Sequence, residues 1–85
     1  MKLSLTYSAY REMEQIPAPP LRLIGEAILG LADDPLPRGS SVFEVGGGCL
    51  CLPVDEYVIL YHVDGTDSGG LTVLGVVADG PPTVH

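Results

Sequence analysis

The sequence has few cations, and none of them lies in its second half. Its 85 residues include 4 Lys and Arg against 11 Asp and Glu, so the formal net charge is −7 with both histidines neutral. Residues 41–85 carry six acids and no Lys or Arg. A nucleic-acid binder needs Lys and Arg to displace the counterions of the phosphates. We therefore expect no autonomous binding to DNA, RNA or an anionic membrane.

Long apolar runs are also missing. No stretch approaches the ~18 apolar residues of a membrane span, and residues 1–10 alternate instead of forming the apolar block of a signal peptide. With 46% apolar and 18% charged residues, the chain is nevertheless too hydrophobic to be disordered. A chain of this length forms one domain, here over residues 1–85. We expect a single globular domain in the cytoplasm.

Cysteine is scarce, and its spacing limits its roles. Cys49 and Cys51 are two residues apart, which closes too small a ring for an ordinary disulfide. On a strand they would face the same side, and with His62 on a neighbouring strand they would offer three soft ligands for zinc or copper. We favour packing as small apolar side chains, because free cysteine is among the most often buried residues. The sequence therefore predicts no metal and no other cofactor, with these three residues as the alternative metal ligands.

The first half of the chain predicts a strand and two helices. Residues 2–7 alternate apolar and polar side chains, which is the period of a strand with one exposed face. Ser8 is the expected N-cap of a short helix that three prolines at residues 17–20 end. Pro20 is expected to open a second helix, which stops at Asp33 or Asp34. The apolar stripe of this second helix is Leu21, Ile24, Ile28 and Leu31.

The second half predicts a β-meander. Apolar and β-branched runs at residues 41–45, 49–53, 56–63 and 71–78 are separated by turn residues. The almost wholly apolar run at residues 57–62 predicts a central strand, covered by helices on one face and by a partner on the other. Residues 80–85 are expected to be frayed. The predicted fold class is α+β, with two N-terminal helices packed on an antiparallel sheet of four or five strands.

Several short motifs are similar to catalytic or ligand-binding signatures. For each of them we favour a structural role over a catalytic one. The glycines at 46–48 precede a strand-like run and have no Lys nearby, so a hairpin turn is favoured over a phosphate loop. The DSG motif at residues 67–69 matches an aspartic-protease signature but lacks the preceding apolar strand. Asp55 and Glu56 are adjacent, so on a strand they would point to opposite faces and not form an acid–base pair. His62 has no nucleophile beside it in the sequence.

The order of strand, two helices and meander resembles the RelE/ParE toxin superfamily of bacterial toxin–antitoxin systems. The resemblance runs from KLSLTY through LGLADDPLPRGS to VDEYVILYHVDG and LTVLGVVADG. Its most specific parts are the helix that ends in LADDP and the strand between VDEY and LYHVD. The resemblance implies a ribosome-dependent mRNA endonuclease, as in RelE-like members, or an inhibitor of DNA gyrase, as in ParE-like members. Either activity implies an inhibiting antitoxin as partner.

The resemblance also assigns basic catalytic residues to positions that are neutral or acidic in this chain. RelE-like toxins carry basic residues on the meander strands, where they hold RNA and stabilise charge on the scissile phosphate. The matching positions here are Cys51, Pro53 and Val58, with Asp79 at the end of the last strand. We therefore expect no catalytic residues and no mRNA endonuclease activity. The remaining role is binding to an antitoxin-like protein or self-association.

Two alternatives stay open. An acidic interaction module would use the six acids of residues 41–85 to bind a basic partner by electrostatic complementarity. A toxin that is still active, as an mRNA endonuclease or a gyrase inhibitor, would need chemistry for which the sequence offers no convincing nucleophile or base pair.

Overall fold

The computed structural model describes residues 2–43, 49–63 and 70–78, and it confirms the α+β class. Two helices follow the first strand and precede the other four. The elements are β1 (Lys2–Leu5), α1 (Tyr7–Glu14), α2 (Ala18–Asp33), β2 (Ser41–Phe43), β3 (Cys49–Val54), β4 (Tyr57–Val63) and β5 (Gly70–Ala78). The predicted order of elements is therefore correct.

The five strands form one sheet in the order β1-β5-β4-β3-β2. The meander β2 to β5 is antiparallel throughout, as predicted. β1, however, pairs with β5 in parallel, so the sheet is mixed and not wholly antiparallel. The reason is topological: α1 and α2 carry the chain from the β1 edge to the β2 edge, and the meander then returns to β1. Strand periodicity specifies which side chains share a face but not the direction of a distant partner strand.

The core lies between α2 and one face of the sheet. The stripe predicted for α2 faces the sheet, and three of its four residues are buried. β4 is the central strand, as predicted, and its Ile59 and Tyr61 are fully buried. The buried side chains of the core are Ala9, Ile16, Ile24, Ile28, Leu31, Leu52, Ile59, Tyr61, Leu71, Val73 and Val76.

Both helices begin earlier than the sequence predicted. The N-cap of α1 is Thr6, whose hydroxyl accepts a hydrogen bond from the Ala9 N–H at 3.1 Å, whereas Ser8, the predicted cap, is inside the helix. The Thr6 N–H also donates to a β5 carbonyl, so tertiary contact selects the cap. α2 begins at Ala18 instead of Pro20. The first turn of a helix needs no intrahelical N–H donors, so prolines are tolerated there.

Helix α1 covers the part of the β5 edge that β1 does not reach. The parallel ladder ends at residue 73 of β5, and beyond it the backbone groups of β5 bond to side chains of the α1 region. The Thr6 hydroxyl donates to the Leu74 carbonyl at 3.1 Å. The Val76 N–H donates to Glu12 Oε1 at 3.0 Å. Unpaired strand edges promote aggregation, and these two side chains replace the missing strand.

Gly75 permits the close approach of Glu12 to β5. A Cβ atom at Gly75 would lie 3.0 Å from Glu12 Oε1, which is tighter than ordinary contacts. The register between β4 and β5 also shifts here, because Leu60 pairs with Gly75 while the next residue, Tyr61, pairs with Val73. This β-bulge places an extra residue in β5, and a bulge bends its strand locally.

We expect Glu12→Ala to lower the free energy of unfolding by about 1.5–3 kcal/mol, because it leaves the Val76 N–H without its charged acceptor. Glu14→Ala is the matched control on the same helix. Glu14 is exposed and lies 4.0 Å from Arg11 in a surface ion pair, so its loss should cost at most about 0.5 kcal/mol. Urea unfolding of the three proteins measures the difference. Equal effects would show that Glu12 acts only as a surface charge.

Tyr61 connects the segment after α2 to the core. Its hydroxyl donates to the Pro35 carbonyl at 2.7 Å. Burial raises the pKa of Tyr61 above its ordinary value, and a smaller opposing effect comes from a hydrogen bond with Ser40. Ser40 is itself held by the Pro37 carbonyl, to which its hydroxyl donates at 2.7 Å. The phenol therefore stays neutral and holds the start of the segment that leads to β2.

Candidate functional site

The sheet has a second face, opposite to the one that α2 covers, and we call it the outer face. Directly opposed residues of antiparallel strands share a face. Cys51 is opposed to Leu60, and Pro53 to Val58, while the alternate residues of both strands belong to the core side. On β3 and β4 the outer face therefore consists of Cys49, Cys51, Pro53, Val58, Leu60 and His62.

Three of the four positions that the family resemblance assigns to basic residues lie together on the outer face. Pro53 and Val58 are directly opposed, and Cys51 is two residues along β3 from Pro53. Pro53 is exposed, and the other two are half-buried. Asp79 lies outside the described residues. The hairpin of β3 and β4 thus brings these three positions, all within residues 51–58, into one neutral patch.

The four cations of the chain lie outside the two strands that carry this patch, and Arg38 lies in the segment just before β2. Arg11 and Arg22 lie on α1 and α2, where each pairs with a glutamate of the same helix in an exposed ion pair. Among the described strand residues, Lys2 is the one cation, and alternation along β1 places it on the outer face. Lys2 pairs with Gly70, whereas Val58 pairs with Val77 of the same strand, so about seven residue rises, roughly 20 Å, separate them along β5. A phosphate at the patch would therefore meet no cation from the described strands.

The two cysteines are free thiols at the border of the outer face with β2. Ser41 of β2 is opposed to Cys51, and its hydroxyl oxygen lies 3.2 Å from the Cys51 sulfur. Burial raises the pKa of the Cys49 thiol above its ordinary value, a backbone hydrogen bond at Tyr61 lowers it in part, and nearby Cys51 adds to the rise. A reactive cysteine needs a lowered pKa. Cys49 is therefore not an activated nucleophile.

The alternative metal site of Cys49, Cys51 and His62 is not assembled as a group of three ligands. All three lie on the outer face, where His62 follows Tyr61, the residue opposed to Leu50 of β3, and is itself opposed to Thr72 of β5. Within residues 2–43, 49–63 and 70–78, no three His, Cys, Asp or Glu side chains come together in a way that could hold a metal ion. A zinc ion in a structural site takes four ligands, so the described residues do not provide such a site.

Of the remaining sequence motifs, the structure describes the pair Asp55 and Glu56. Asp55 and Glu56 form the two-residue turn between β3 and β4, and both are exposed, as predicted. Asp55 has a φ of 56°, a left-handed conformation that Asp tolerates in tight hairpin turns. The glycines at 46–48 and the motif at 67–69 lie outside the described residues.

A surface that the sequence analysis missed lies between β1 and the two helices. It is an apolar groove of about 270 Å³. Its lining includes the exposed side chains of Leu5 and Tyr10. Sequence patterns predicted Leu5 as a core-facing strand residue, and Tyr10 carried no signal, since an isolated Tyr on a helix is common at surfaces. The full lining is Leu5, Tyr10, Met13, Glu14 and Leu21.

Comparison with known structures finds similar folds, whereas comparison of the sequence finds no match. No protein-family model matches the chain, and no curated protein sequence matches it significantly. A toxin chain in the toxin–antitoxin complex RelBE2 of Mycobacterium tuberculosis superposes with a TM-score of 0.78 at 20% identity, covering 91% of this chain and 95% of that chain. This chain has the RelE fold.

A second solved RelE structure is also similar to this chain over nearly its whole length. The archaeal RelE-RelB complex of Pyrococcus horikoshii OT3 contains a chain that superposes with a TM-score of 0.80 at 18% identity, covering 93% of this chain and 94% of that chain. The RelE fold predicted from KLSLTY and the following elements is thereby confirmed over nearly the whole chain. No helix within the described residues is long and apolar enough to span a membrane.

Proposed function

We propose that this chain is a RelE-like toxin relative that binds an antitoxin-like protein and does not cleave mRNA. Support for the partner comes from the fold, because both similar RelE chains were crystallised in complexes, one named as toxin–antitoxin and the other as RelE-RelB. Support for the missing nuclease activity comes from the chemistry of the outer face.

The neutral patch on the outer face is the observation that carries this proposal. Cleavage of a phosphodiester places negative charge on the phosphate, and enzymes stabilise it with preorganised cations or hydrogen-bond donors. Cys51, Pro53 and Val58 offer no such cation, and Pro53 also lacks a backbone N–H donor. The net charge of −7 on the chain also opposes the approach of RNA, which is itself negatively charged. An outer face of this composition suits contact with protein.

Expression in a bacterial host tests the absence of nuclease activity. We expect no growth arrest and no new mRNA 5′ ends when the chain is produced, with a ribosome-dependent endonuclease as positive control. Ribosome-bound mRNA cut by the purified chain would overturn this half of the proposal. The other half is tested by co-purification with an antitoxin-like protein, should the adjacent open reading frame encode one, where a stable complex is expected and separate elution would contradict it.

We further expect the apolar groove to receive an apolar side chain of this partner. Tyr is enriched among residues that dominate binding energy, and Tyr10 lines the groove with 54% of its surface exposed. Tyr10→Asp should weaken partner binding at least tenfold, which corresponds to about 1.4 kcal/mol. Isothermal titration with the purified partner measures the change.

Tyr7→Asp is the control for this substitution. Tyr7 lies on the same helix and is 75% exposed, but it does not line the groove. Its replacement adds the same charge, so any effect of net charge should appear in both variants. A similar loss of affinity in both would mean that the groove is not the binding surface.

A basic partner held by charge is the competing candidate, favoured by the six acids of residues 41–85. The salt dependence of binding distinguishes a complex held by charge from one held by apolar contacts in the groove. Screening shortens the Debye length from about 8 Å at 0.15 M salt to about 3 Å at 1 M, so a charge-held complex dissociates while an apolar one persists. Dissociation at high salt would favour the acidic module.

A further inference from the structure

The outer face of the sheet lacks the charged side chains that a water-exposed sheet face normally has. An antiparallel sheet with one solvated face alternates apolar residues toward the core with polar residues toward water. Strands β3, β4 and β5 contain no Lys, Arg, Asp or Glu on either face. On β5 the outer face includes Leu74 and Val77, because their neighbours Val73 and Val76 are buried in the core.

Apolar side chains on the outer face remain in contact with water. Leu74 and Val77 are each 39% exposed, and Val58 and Leu60 are half-buried. The polar side chains that the described strands add to this face lie on the edge strands β1 and β2 and at one end of β4 and β5. They are Lys2, Ser4, Ser41, His62 and Thr72. An exposed apolar area with polar residues at its border is typical of a protein–protein interface.

The missing charge restricts which partner suits the outer face. A strongly basic or acidic surface finds no opposite charge on β3, β4 or β5, so burial against them would leave its own charges unpaired. A second copy of this chain presents the same uncharged strands. The described acids lie on the two helices, in the segment after α2 and in the turn between β3 and β4. Contact between two outer faces therefore keeps most of these acids apart, although each chain has a net charge of −7.

The shape and size of the outer face also suit a second copy. Two copies of one sheet have the same twist, and twisted sheets pack face to face at about 30° with about 10 Å between them. Five strands spaced about 4.8 Å apart and about six residues long present roughly 480 Å² per copy. Two such faces bury about 1,000 Å² together, which is at the lower end of specific interfaces.

We propose that this chain forms a symmetric dimer by packing its outer face against the outer face of a second copy. Leu60, in the middle of the central strand, lies near the two-fold axis. The dimer does not depend on the proposed antitoxin-like partner, because the apolar groove is on the helix side of the sheet. An interface of this size predicts dissociation at micromolar concentrations. Salt should strengthen the dimer, since it screens the repulsion between two acidic chains.

Sedimentation equilibrium of the reduced full-length chain, without any partner, tests the dimer. Val77→Lys should raise the dissociation constant at least about tenfold, because it places like charges in an apolar interface. Val77 is partly exposed, so the lysine reaches water in the monomer and circular dichroism should show an unchanged fold. Leu29→Lys is the control. It adds the same charge at a 67% exposed position on α2, away from the outer face, and should leave the dissociation constant unchanged.

The native cysteines report on the interface without any substitution. Cys49 and Cys51 belong to the outer face, so their alkylation by iodoacetamide should slow as the chain concentration rises through the dissociation constant. A chain that stays monomeric up to about 1 mM would overturn the dimer. So would an alkylation rate that dimerisation leaves unchanged, or equal weakening by Val77→Lys and Leu29→Lys. If only the antitoxin-like protein slowed alkylation, the outer face would be its site and the dimer would be wrong.

Discussion

Replacement of Tyr61 with alanine is expected to lower the free energy of unfolding by about 3–5 kcal/mol. Tyr61 is fully buried on the central strand, so the substitution leaves a large cavity between the sheet and α2 and also removes the bond to Pro35. In a domain of this size each kcal/mol shifts the melting temperature by about 4–8 °C, so the midpoint should fall by roughly 15–30 °C. Differential scanning calorimetry measures this shift.

Tyr61→Phe separates the contribution of the buried ring to stability from that of the hydroxyl group. It keeps the packing and removes only the 2.7 Å hydrogen bond to the Pro35 carbonyl, so a loss of about 1 kcal/mol is expected. If Tyr61→Phe destabilised the protein as much as Tyr61→Ala, the hydrogen bond and not the buried ring would be the main contribution. The stated role of Tyr61 in the core would then be wrong.

Ile24→Ala on α2 should lower the free energy of unfolding by about 2–5 kcal/mol. Ile24 is fully buried at the centre of the stripe that packs on the sheet. The substitution removes three carbon atoms from a tightly packed site, and the surrounding elements relax only in part. Loss of this contact affects the whole fold, because α2 connects the two edges of the sheet. Urea unfolding at constant m-value measures the effect.

Leu29→Ala is the matched control for Ile24→Ala. Leu29 lies on the same helix and loses the same number of carbon atoms, but 67% of its surface is exposed. We expect a change within about 0.5 kcal/mol, since surface substitutions away from special features have small effects. A comparable loss in both variants would show that α2 does not pack on the sheet through the stripe of Ile24, Ile28 and Leu31.

Much of the fold followed from patterns that are local in the sequence. The stripe of α2 repeats at helical spacing, and the apolar run at residues 57–62 identified the central strand. Both patterns arise because a helix or strand buries one set of side chains at a fixed period. The starts of the helices were less accurate, because Thr6 is held as a cap by contacts with β5 that local propensity does not include.

The candidate site was also predictable from the sequence only in part. The absence of cations from residues 41–85 is a property of composition, visible without any structure. The proximity of Cys51, Pro53 and Val58 depends on the hairpin register between β3 and β4, which the two-residue turn sets. The groove beside Tyr10 was not predicted, because it forms where three elements meet and leaves no periodic signal in any of them.

The sequence by itself determined the α+β class, the order of elements, the buried stripe and the cation-free meander. Only the tertiary structure decided the parallel pairing of β1 with β5 and the cover of the β5 edge by α1. Those contacts join residues far apart in the chain: 68 positions for Thr6 with Leu74 and 64 for Glu12 with Val76. Periodicity reports which side of an element is buried, but pairing between distant elements depends on the free energy of the whole packed arrangement.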